Sequence, residues 1–579
     1  MKQGYMEFHF RDPFRNENVP VVFSNPIATI EAREIEEVRP KMREVESYVE
    51  QGYFAAGYVS YEAAPAFHSK MKTKKKPIMP LLSFSIYREF DELEDHTPSQ
   101  VNTSFNWTPN VTKEKYEKDI CTIHDEIENG NTYQVNYTTR LNVPFEEDDY
   151  VYFKQLKDAQ QGDYSSYINL GDFSILSASP ELFFAVQNNR IVTKPMKGTT
   201  KRGLTFEEDI QLKASLTTSQ KEQAENVMIV DLIRNDLGRI AKSGSVNVSK
   251  LFEVETYPTV HQLTSTIEAD LTDMTSITDI FTALFPCGSI TGAPKISTME
   301  IIDQLEDSPR EVYCGSMGYI TPERKAIFNI PIRTVWIDHN TKKAEYGVGG
   351  GITWDSNANG EFEEMITKGK ILSTVPRQPF YLLESMLLEN GGYTLLQLHL
   401  ERLQKSAQYF QFDYEEEKIV KALCKLRDET SDETCKVRLL VAEDGEVKVE
   451  AHPISLSNEK KEVRIAESPV DRRDPFLYHK TTNRSIYEPH KDDRYYDTLL
   501  WNEKGFITEF INGNIVVEKE GHYYTPPVED GLLPGTFRQA QMNAGIVLER
   551  TFSIQELQSF DRIWHINSVR GWTEVFLNM

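Results

Sequence analysis

Up to residue 110 the apolar positions fall in short strand-like runs, VVFSNPIATI, FAAGYVSYEAA and PLLSFSIY, separated by charged stretches of helical character. A charged, proline-containing patch over 91–110 interrupts the pattern and reads as a connection. The spacing after it predicts a helix from about Lys113 to Asn129, stopped by the turn pair Gly130-Asn131. Strand-like and helical runs then alternate to residue 372. Among them are two helices, QAENVMIVDLIRNDLG over 223–238 and EFEEMITKGKIL over 361–372. STVPRQPF (373–380), with two prolines, breaks the periodicity, and new helices (LLQLHLERLQKSAQYF) and strands (CKVRLLVAE, EVKVEAHPI) begin beyond it. The pattern divides the chain into a large unit, with an N-terminal region over 1–110 and a catalytic domain over 111–372, then a linker 373–379 and a smaller unit 380–579. No short-period repeat runs through it, which argues against a solenoid.

Composition narrows the class. At 39% hydrophobic and 26% charged, the chain has what a soluble globular protein needs for large cores. No run of about 18 apolar residues argues for a membrane span. MKQGYMEFHFRDPF lacks the apolar stretch of a secretory signal, so the expected address is the cytosol. Cys121, Cys287, Cys314, Cys424 and Cys435 form no CxxC pair, which points to reduced thiols rather than a disulfide framework or zinc knuckle. A net charge of −25 repels phosphate backbones and makes nucleic acid a poor partner. The run Lys72, Lys74, Lys75 and Lys76 before Pro77 reads as a solvated loop. Binding a small anion would then require local cations or a metal ion, set against the overall field.

Candidate chemistry in the large unit begins with three glycine-bearing segments: KPMKGT (194–199) after the strand-like NNRIVT, FPCGSITGAPK (285–295) and YGVGGGITWDS (346–356). Clustered glycines let backbone N–H groups face a ligand, which suits carboxylate capture, although such segments are also ordinary turns. NIPIRT puts Arg333 on an expected strand, where a guanidinium fork would hold a carboxylate or a structural ion-pair partner. The helices supply acids. Glu225 lies near the start of the first and Glu361 and Glu364 on the second, where Glu364 and Lys368 also have the spacing of a surface i, i+4 pair. If Glu225 and Glu364 converge, they make a wet, octahedral Mg²⁺ site with substrate oxygens.

In order, YQVNYTTR, SPELF, KPMKGT, AENVMIVDLIRNDLG, HQLTSTI, FPCGSITGAPK, CGSMGYI, NIPIRT, GVGGGIT and EFEEMITKGK resemble the chorismate-utilising enzymes over about residues 113–372. That family includes anthranilate synthase, isochorismate synthase and aminodeoxychorismate synthase component I. The resemblance implies a large antiparallel-sheet α+β fold binding chorismate over Mg²⁺, with Glu225 and Glu364 as metal ligands and Glu361 close by. It implies that Arg333, Tyr313, Thr291 and the Gly349, Gly350 and Gly351 amides hold substrate carboxylates. His261, Gly198, Thr199, Gly292 and Lys368 would line the site. At the third position of P-x-x-G-T this chain has Lys197, as aminodeoxychorismate synthases do, whereas anthranilate synthases have alanine. A desolvated lysine can act as a nucleophile, and the implied mechanism has Lys197 attack C2 of the ring. Glu181 in SPELF matches the acid that assists departure of the C4 hydroxyl. The upstream lysine of isochorismate-type enzymes is replaced by Gln134. The N-terminal region is short and lacks a tryptophan-pocket signature. No G-x-C-x-G glutaminase nucleophile is present, so ammonia would come from solution or from a separate glutamine amidotransferase subunit.

The smaller unit has Lys480 in LYHKTTNR, joined by HLERL, ITEFINGNIVV, TPPVEDGLLPGTFRQ and WHINSVRGW. Together these resemble the class IV aminotransferases, a two-subdomain pyridoxal-phosphate-dependent α/β fold, and within them aminodeoxychorismate lyase. Pyridoxal phosphate needs a Schiff-base lysine, a carboxylate for its ring nitrogen and donors for its phosphate. The resemblance assigns these to Lys480, to Glu509, and to Arg402 with the Gly535-Thr536 amides, with Asn567 and Ser568 adding contacts. Two departures stand out: Val516 occupies a position where an aromatic is usual, and the opening is shortened to PRQPFYLLESM, where a threonine used by some lyases falls near Ser385. Members usually dimerise through this domain, so a homodimer is compatible with the resemblance. The combined expectation is a bifunctional enzyme that makes 4-amino-4-deoxychorismate and then 4-aminobenzoate for folate. The alternative is an anthranilate synthase component I-like enzyme fused to a class IV aminotransferase.

Overall fold

The computed structural model describes residues 2–93, 105–373, 378–430, 434–455 and 459–577. Most of the connection expected over 91–110 (94–104) and of the linker expected over 373–379 (374–377) lies outside the described residues. The chain forms two compact units, one of residues 1–201 with 213–377 and the other of 202–212 with 378–579. Among the described residues no helix is long and apolar enough to cross a membrane.

The first unit is built on two antiparallel sheets. One, of nine strands, has Gln134–Pro144 and Lys343–Ile352 side by side near one edge and Met6–Asp12 and Glu17–Phe23 at the other. The second, of ten strands, runs from Met196–Lys201 through Val260–Asp270 to Ala28–Ala32. Strand alternation explains the layering. In Phe54–Val59, Ala56 and Tyr58 join a core with Phe8, Phe10 and Ile175 of the other sheet, while Ala55 and Val59 face the opposite layer with Val38 and Val45 of the helix Ile35–Glu50. Both faces are covered, so the strand reads as a near-continuous apolar run. The helix Lys113–Glu128 covers the outer face of the nine-stranded sheet with Tyr116, Ile120 and Ile123. The Thr112 hydroxyl caps its start by accepting from the Lys115 N–H, a contact worth about 1 kcal/mol.

The second unit has a four-stranded antiparallel sheet, Gly392–Tyr393, Leu382–Glu389, Cys435–Val441 and Val447–Pro453. The helices Leu396–Phe410 and Glu416–Glu429 share its core through Leu400, Leu403, Ile419 and Leu423. A separate eight-stranded mixed sheet follows, and an extra pairing of Ile507–Phe510 with Gly513–Lys519 closes part of it into a ring. This gives the two-subdomain, mixed helix-and-sheet architecture expected from the sequence.

Candidate active sites

In the first unit, a cavity of about 270 Å³ opens where edge strands of the two sheets meet the helix Gln220–Gly238. Ser219 caps that helix by accepting from the Glu222 N–H, while Ile229, Ile233 and Leu237 are buried. Glu222 and Glu225, three residues apart on one face, reach the cavity.

In KPMKGT, Met196–Thr199 lie on the strand Met196–Lys201, and its register explains how Lys197 is aimed. Met196 pairs with Thr264 and Thr199 with Gln262, so three steps on one strand oppose two on the other. That is a β-bulge, and Gly198 absorbs it at φ +93°. A Cβ at Gly198 would meet Glu222 Oε2 at 2.8 Å, so both the left-handed backbone and the close carboxylate require glycine. GVGGGI of the third segment is likewise strand, within Lys343–Ile352. A Cβ on Gly351 would fall 1.9 Å from Gln134 Nε2 and 3.0 Å from Lys197 Nζ, so the bare backbone lets both side chains approach.

The Lys197 amine has no hydrogen-bond or ion-pair partner among the described residues. Burial pushes it below the ordinary lysine range, against the opposing charges of Glu225 and Glu181. Glu181, only 3% exposed, accepts a hydrogen bond from Ser289 Oγ at 2.7 Å. Burial raises its carboxyl to about 7, opposed by that hydrogen bond and by Lys197. Arg333 is not on a strand: it sits just before Thr334–Asp338 at φ 51° and turns its side chain into the cavity wall, with no anionic partner among the described residues. Tyr313, Gly198, Thr199, Gly349, Gly350 and Lys368 line the same cavity.

Three expected substrate contacts do not line it. His261 is fully buried, its Nδ1 3.1 Å from Thr256 Oγ1, because strand alternation turns Gln262 to the cavity and His261 away. Thr291 is also fully buried and donates to the Cys287 carbonyl, while Gly292 pairs with Val135 at the sheet edge.

Glu225, Glu361 and Glu364 all face the cavity, joined by Glu222. Glu361 accepts from Ser356 Oγ at 2.7 Å, and Glu364 pairs with Lys368 at 2.7 Å while Lys368 donates to the Gly349 carbonyl. Burial, with mutual repulsion added, raises Glu222, Glu225 and Glu361. No group of three or more ligating side chains is close enough to hold a metal by itself among the described residues. Hard carboxylate oxygens that repel one another around a wet cavity nevertheless fit magnesium, which takes one or two protein carboxylates and fills its shell with water and substrate. Glu222 and Ser289 went unread in the sequence; the i, i+3 spacing to Glu225 was the available signal for the first.

In the second unit, a cavity of about 500 Å³ brings together Lys480, Glu509, Arg402, Gly535, Thr536, Asn567 and Ser568, with Ser385 beside them. Burial first, then the Arg402 charge, lowers the Lys480 amine to about 8. Glu509 is buried, accepts from Tyr487 OH at 2.9 Å and Asn514 Nδ2 at 3.3 Å, and is raised to about 8 by burial. A buried carboxylate with no cation bonded to it suits a protonated ring nitrogen. Arg402 is held by a device the sequence did not reveal. Glu384, 1% exposed, takes its Nε and Nη2 bidentately at 2.9 and 2.6 Å and also lies 2.6 Å from His399 Nδ1. His399 Nε2 in turn is 3.2 Å from Thr536 Oγ1 at the start of the helix Thr536–Asn543. Burial would raise the Glu384 carboxyl, but Arg402 and His399 hold it at about 2. A cation, a hydroxyl and a helix start gathered in this way could hold a phosphate.

Known proteins fit both halves. The family model of the chorismate binding enzymes matches residues 8–374, and that of the class IV amino-transferases matches 381–576. The chain belongs to the chorismate binding enzyme family, and in it that unit is fused to a class IV aminotransferase domain. It is 40% identical over 298 residues to aminodeoxychorismate synthase component 1 of Salmonella typhimurium, and 40% identical over 281 residues to that of Escherichia coli. Those matches cover 51% and 48% of this chain and 65% and 60% of the relatives, so the chain spans less than two thirds of their length. The solved anthranilate synthase component I of Streptococcus pneumoniae is 25% identical with a TM-score of 0.55, covering 61% of this chain and 92% of that one.

Proposed function

We propose that the large unit aminates chorismate to 4-amino-4-deoxychorismate and that the C-terminal unit removes pyruvate from this product to leave 4-aminobenzoate. What carries the first half is the Lys197 amine, depressed by burial and lining one cavity with Glu181 and Arg333. Arg333 and the Gly349–Gly351 strand hold the substrate carboxylates. Glu225, Glu361 and Glu364 are the residues that would hold magnesium, which supplies positive charge for a carboxylate. Neutral Lys197 forms a bond to C2, the ring double bonds shift, and the C4 hydroxyl leaves as water with a proton from Glu181. Ammonia then adds at C4, the C2–N bond breaks, the lysine amine is restored and Glu181 recovers a proton. A separate glutamine amidotransferase is the proposed ammonia source, in keeping with relatives named as component 1.

In the second unit, Lys480, Glu509, Arg402 and the Gly535-Thr536 helix start would hold pyridoxal phosphate, which supplies an electron sink beside the substrate carbon. Glu509, fixed by Tyr487 and Asn514, is the carboxylate that would serve the ring nitrogen. The Lys480 amine, near 8, is poised to carry the substrate proton.

The test is to incubate the purified chain with chorismate, Mg²⁺, ammonium and pyridoxal phosphate and to identify products by mass spectrometry. We expect 4-aminobenzoate and equimolar pyruvate, loss of both in Lys197→Ala, and accumulation of 4-amino-4-deoxychorismate in Lys480→Ala. Formation of 2-aminobenzoate would overturn the first half.

A further inference from the structure

The turn that follows Glu509 is held from outside rather than by its own geometry. Glu509 opposes Asn514 and Phe510 opposes Gly513, so Ile507–Phe510 and Gly513–Lys519 are joined by Ile511 and Asn512 alone. Such tight hairpins normally take primed turns, which need positive φ at one or both linking residues. Neither Ile511 nor Asn512 is among the described residues with positive φ. The polar groups of the turn are bonded elsewhere instead. The Ile511 N–H donates to the Thr498 carbonyl at 3.2 Å, and its carbonyl accepts from Arg484 Nη2 at 2.8 Å. The Asn512 N–H donates to Asp497 Oδ2 at 3.0 Å, and its carbonyl accepts from Asn567 Nδ2 at 3.3 Å.

Asp497 is the anion in that set, and it does not act alone. His565 Nε2 lies 3.1 Å from the same Oδ2, and both side chains are 2% exposed. Oδ1 accepts the Thr498 N–H at 2.8 Å. An ionised carboxylate only accepts, so Nε2 carries the proton and His565 is a donor to Asp497. His565 Nδ1 has no hydrogen-bond partner among the described residues, which leaves Asp497 as the polar contact of the ring. The chain also makes room for the imidazole: a Cβ on Gly513 would fall 2.4 Å from His565 Cε1 and 2.6 Å from Nε2. Asp497 and His565 belong to Asp497–Trp501 and Arg562–Asn567, the strands that flank the hairpin, and both line the cavity around Lys480. Glu509 is tied to the other arm of the hairpin, since Asn514 Nδ2 donates to its Oε2 at 3.3 Å. A shift of the turn therefore moves Glu509 and Asn514 together. Apolar side chains would fill this space without the desolvation that a buried ionic pair must offset.

We propose that Asp497 and His565 are positioning residues: they hold the Ile511–Asn512 turn and, through it, fix Glu509 where it would serve the ring nitrogen of pyridoxal phosphate. This rests on the reading of the cavity as a pyridoxal phosphate site with Glu509 at that nitrogen. It does not depend on which reaction the cofactor then supports.

The experiment loads the full-length chain with pyridoxal phosphate carrying ¹⁵N at the ring nitrogen and reads the ¹⁵N chemical shift, which separates a protonated ring from a neutral one. Glu509→Gln gives the reference for how far the signal moves when that carboxylate is removed. Asp497→Asn keeps the shape of the side chain and removes its charge, and His565→Phe keeps a ring and removes the donor. The signal should move toward the neutral-ring value in Asp497→Asn and, less far, in His565→Phe. His565→Gln, whose amide donor can reach the place of Nε2, should leave it as in the wild type. With 4-amino-4-deoxychorismate, kcat should fall about tenfold in Asp497→Asn while KM changes by about twofold or less, the pattern of a loss felt at the reacting centre. Unchanged signals in both Asp497→Asn and His565→Phe would overturn the role even if Tm falls, because a merely structural pair would give that result. Should Asp497→Asn fold poorly, equal signals in His565→Phe and His565→Gln would overturn it. No movement in Glu509→Gln would sink the assignment of Glu509 to the ring nitrogen, and this role with it. If the signals move as expected but no pyruvate forms, the lyase reading falls and the positioning role stands.

Discussion

In the proposed amination, Glu181 and Lys197 must hold complementary protonation states, and burial moves both in the required direction. Glu181 gives a proton, so it must be protonated; that form is lost as pH rises through about 7. Lys197 attacks as the neutral amine, which burial favours and which is lost as pH falls. A profile of kcat/KM for chorismate amination should therefore bend downward on the alkaline side near the Glu181 value. In Glu181→Gln the alkaline limb should vanish while the rate drops by about two orders of magnitude or more, the usual range for a removed general acid. An unchanged alkaline limb in that variant would assign the titration to another group.

Between elements, the aim of each reactive side chain is set by register and by a few long-range contacts. Glu384 on Leu382–Glu389 grips Arg402 on Leu396–Phe410 through both carboxylate oxygens and ties His399 to the same point. Replacing it by Glu384→Gln keeps the shape but removes the charge-assisted bidentate pair. Pyridoxal phosphate affinity should weaken about tenfold, measured by fluorescence titration, since such hydrogen bonds contribute roughly 1.5–3 kcal/mol. This grip shows where the sequence was silent. HLERL marks Arg402 as a candidate phosphate ligand, and it lines the cavity, but the glutamate that fixes it lies on a neighbouring strand, and nothing local marks the pairing. Lys197 was legible through its motif, while the bulge between Met196 and Thr199 that aims it exists only once Val260–Asp270 pairs alongside. Arg333 was expected on a strand and instead sits in a left-handed break before one. His261 and Thr291 were expected in the cavity, but alternation and local packing turn them behind its wall. Motif order thus conveys which residues gather, and side-chain direction depends on pairing that the linear pattern leaves open.

Across the whole molecule, the reactive and structural carboxylates share one property: several are buried and raised. Burial, with Glu311 adding repulsion, puts Glu62 at about 8, and burial puts Glu311 itself at about 7, close to Glu181 at about 7 and Glu509 at about 8. Glu62 caps the Arg310 and Glu311 N–H groups, and Glu311 caps those of Ile78 and Met79. Each folded-state value lies above the ordinary 4.5, so these carboxyls bind more protons in the folded chain than in the unfolded one through this window. The stability these groups contribute is complete below the unfolded value and is lost as pH rises through the folded values. The apo chain should accordingly show a lower Tm near pH 8 than near pH 5.5, read by calorimetry at constant ionic strength; roughly this window follows from the linkage relation. A Tm that rises between those values would contradict the assignment of neutral buried acids.

The most direct measurement is the mass of the chain after incubation with chorismate and Mg²⁺ in the strict absence of ammonium and glutaminase. A covalent adduct equal to chorismate less one water, mapped to the peptide containing Lys197 and discharged by added ammonium, is the predicted result. No adduct on that peptide, in a preparation that forms aminated product when ammonium is supplied, would contradict the nucleophilic role of Lys197.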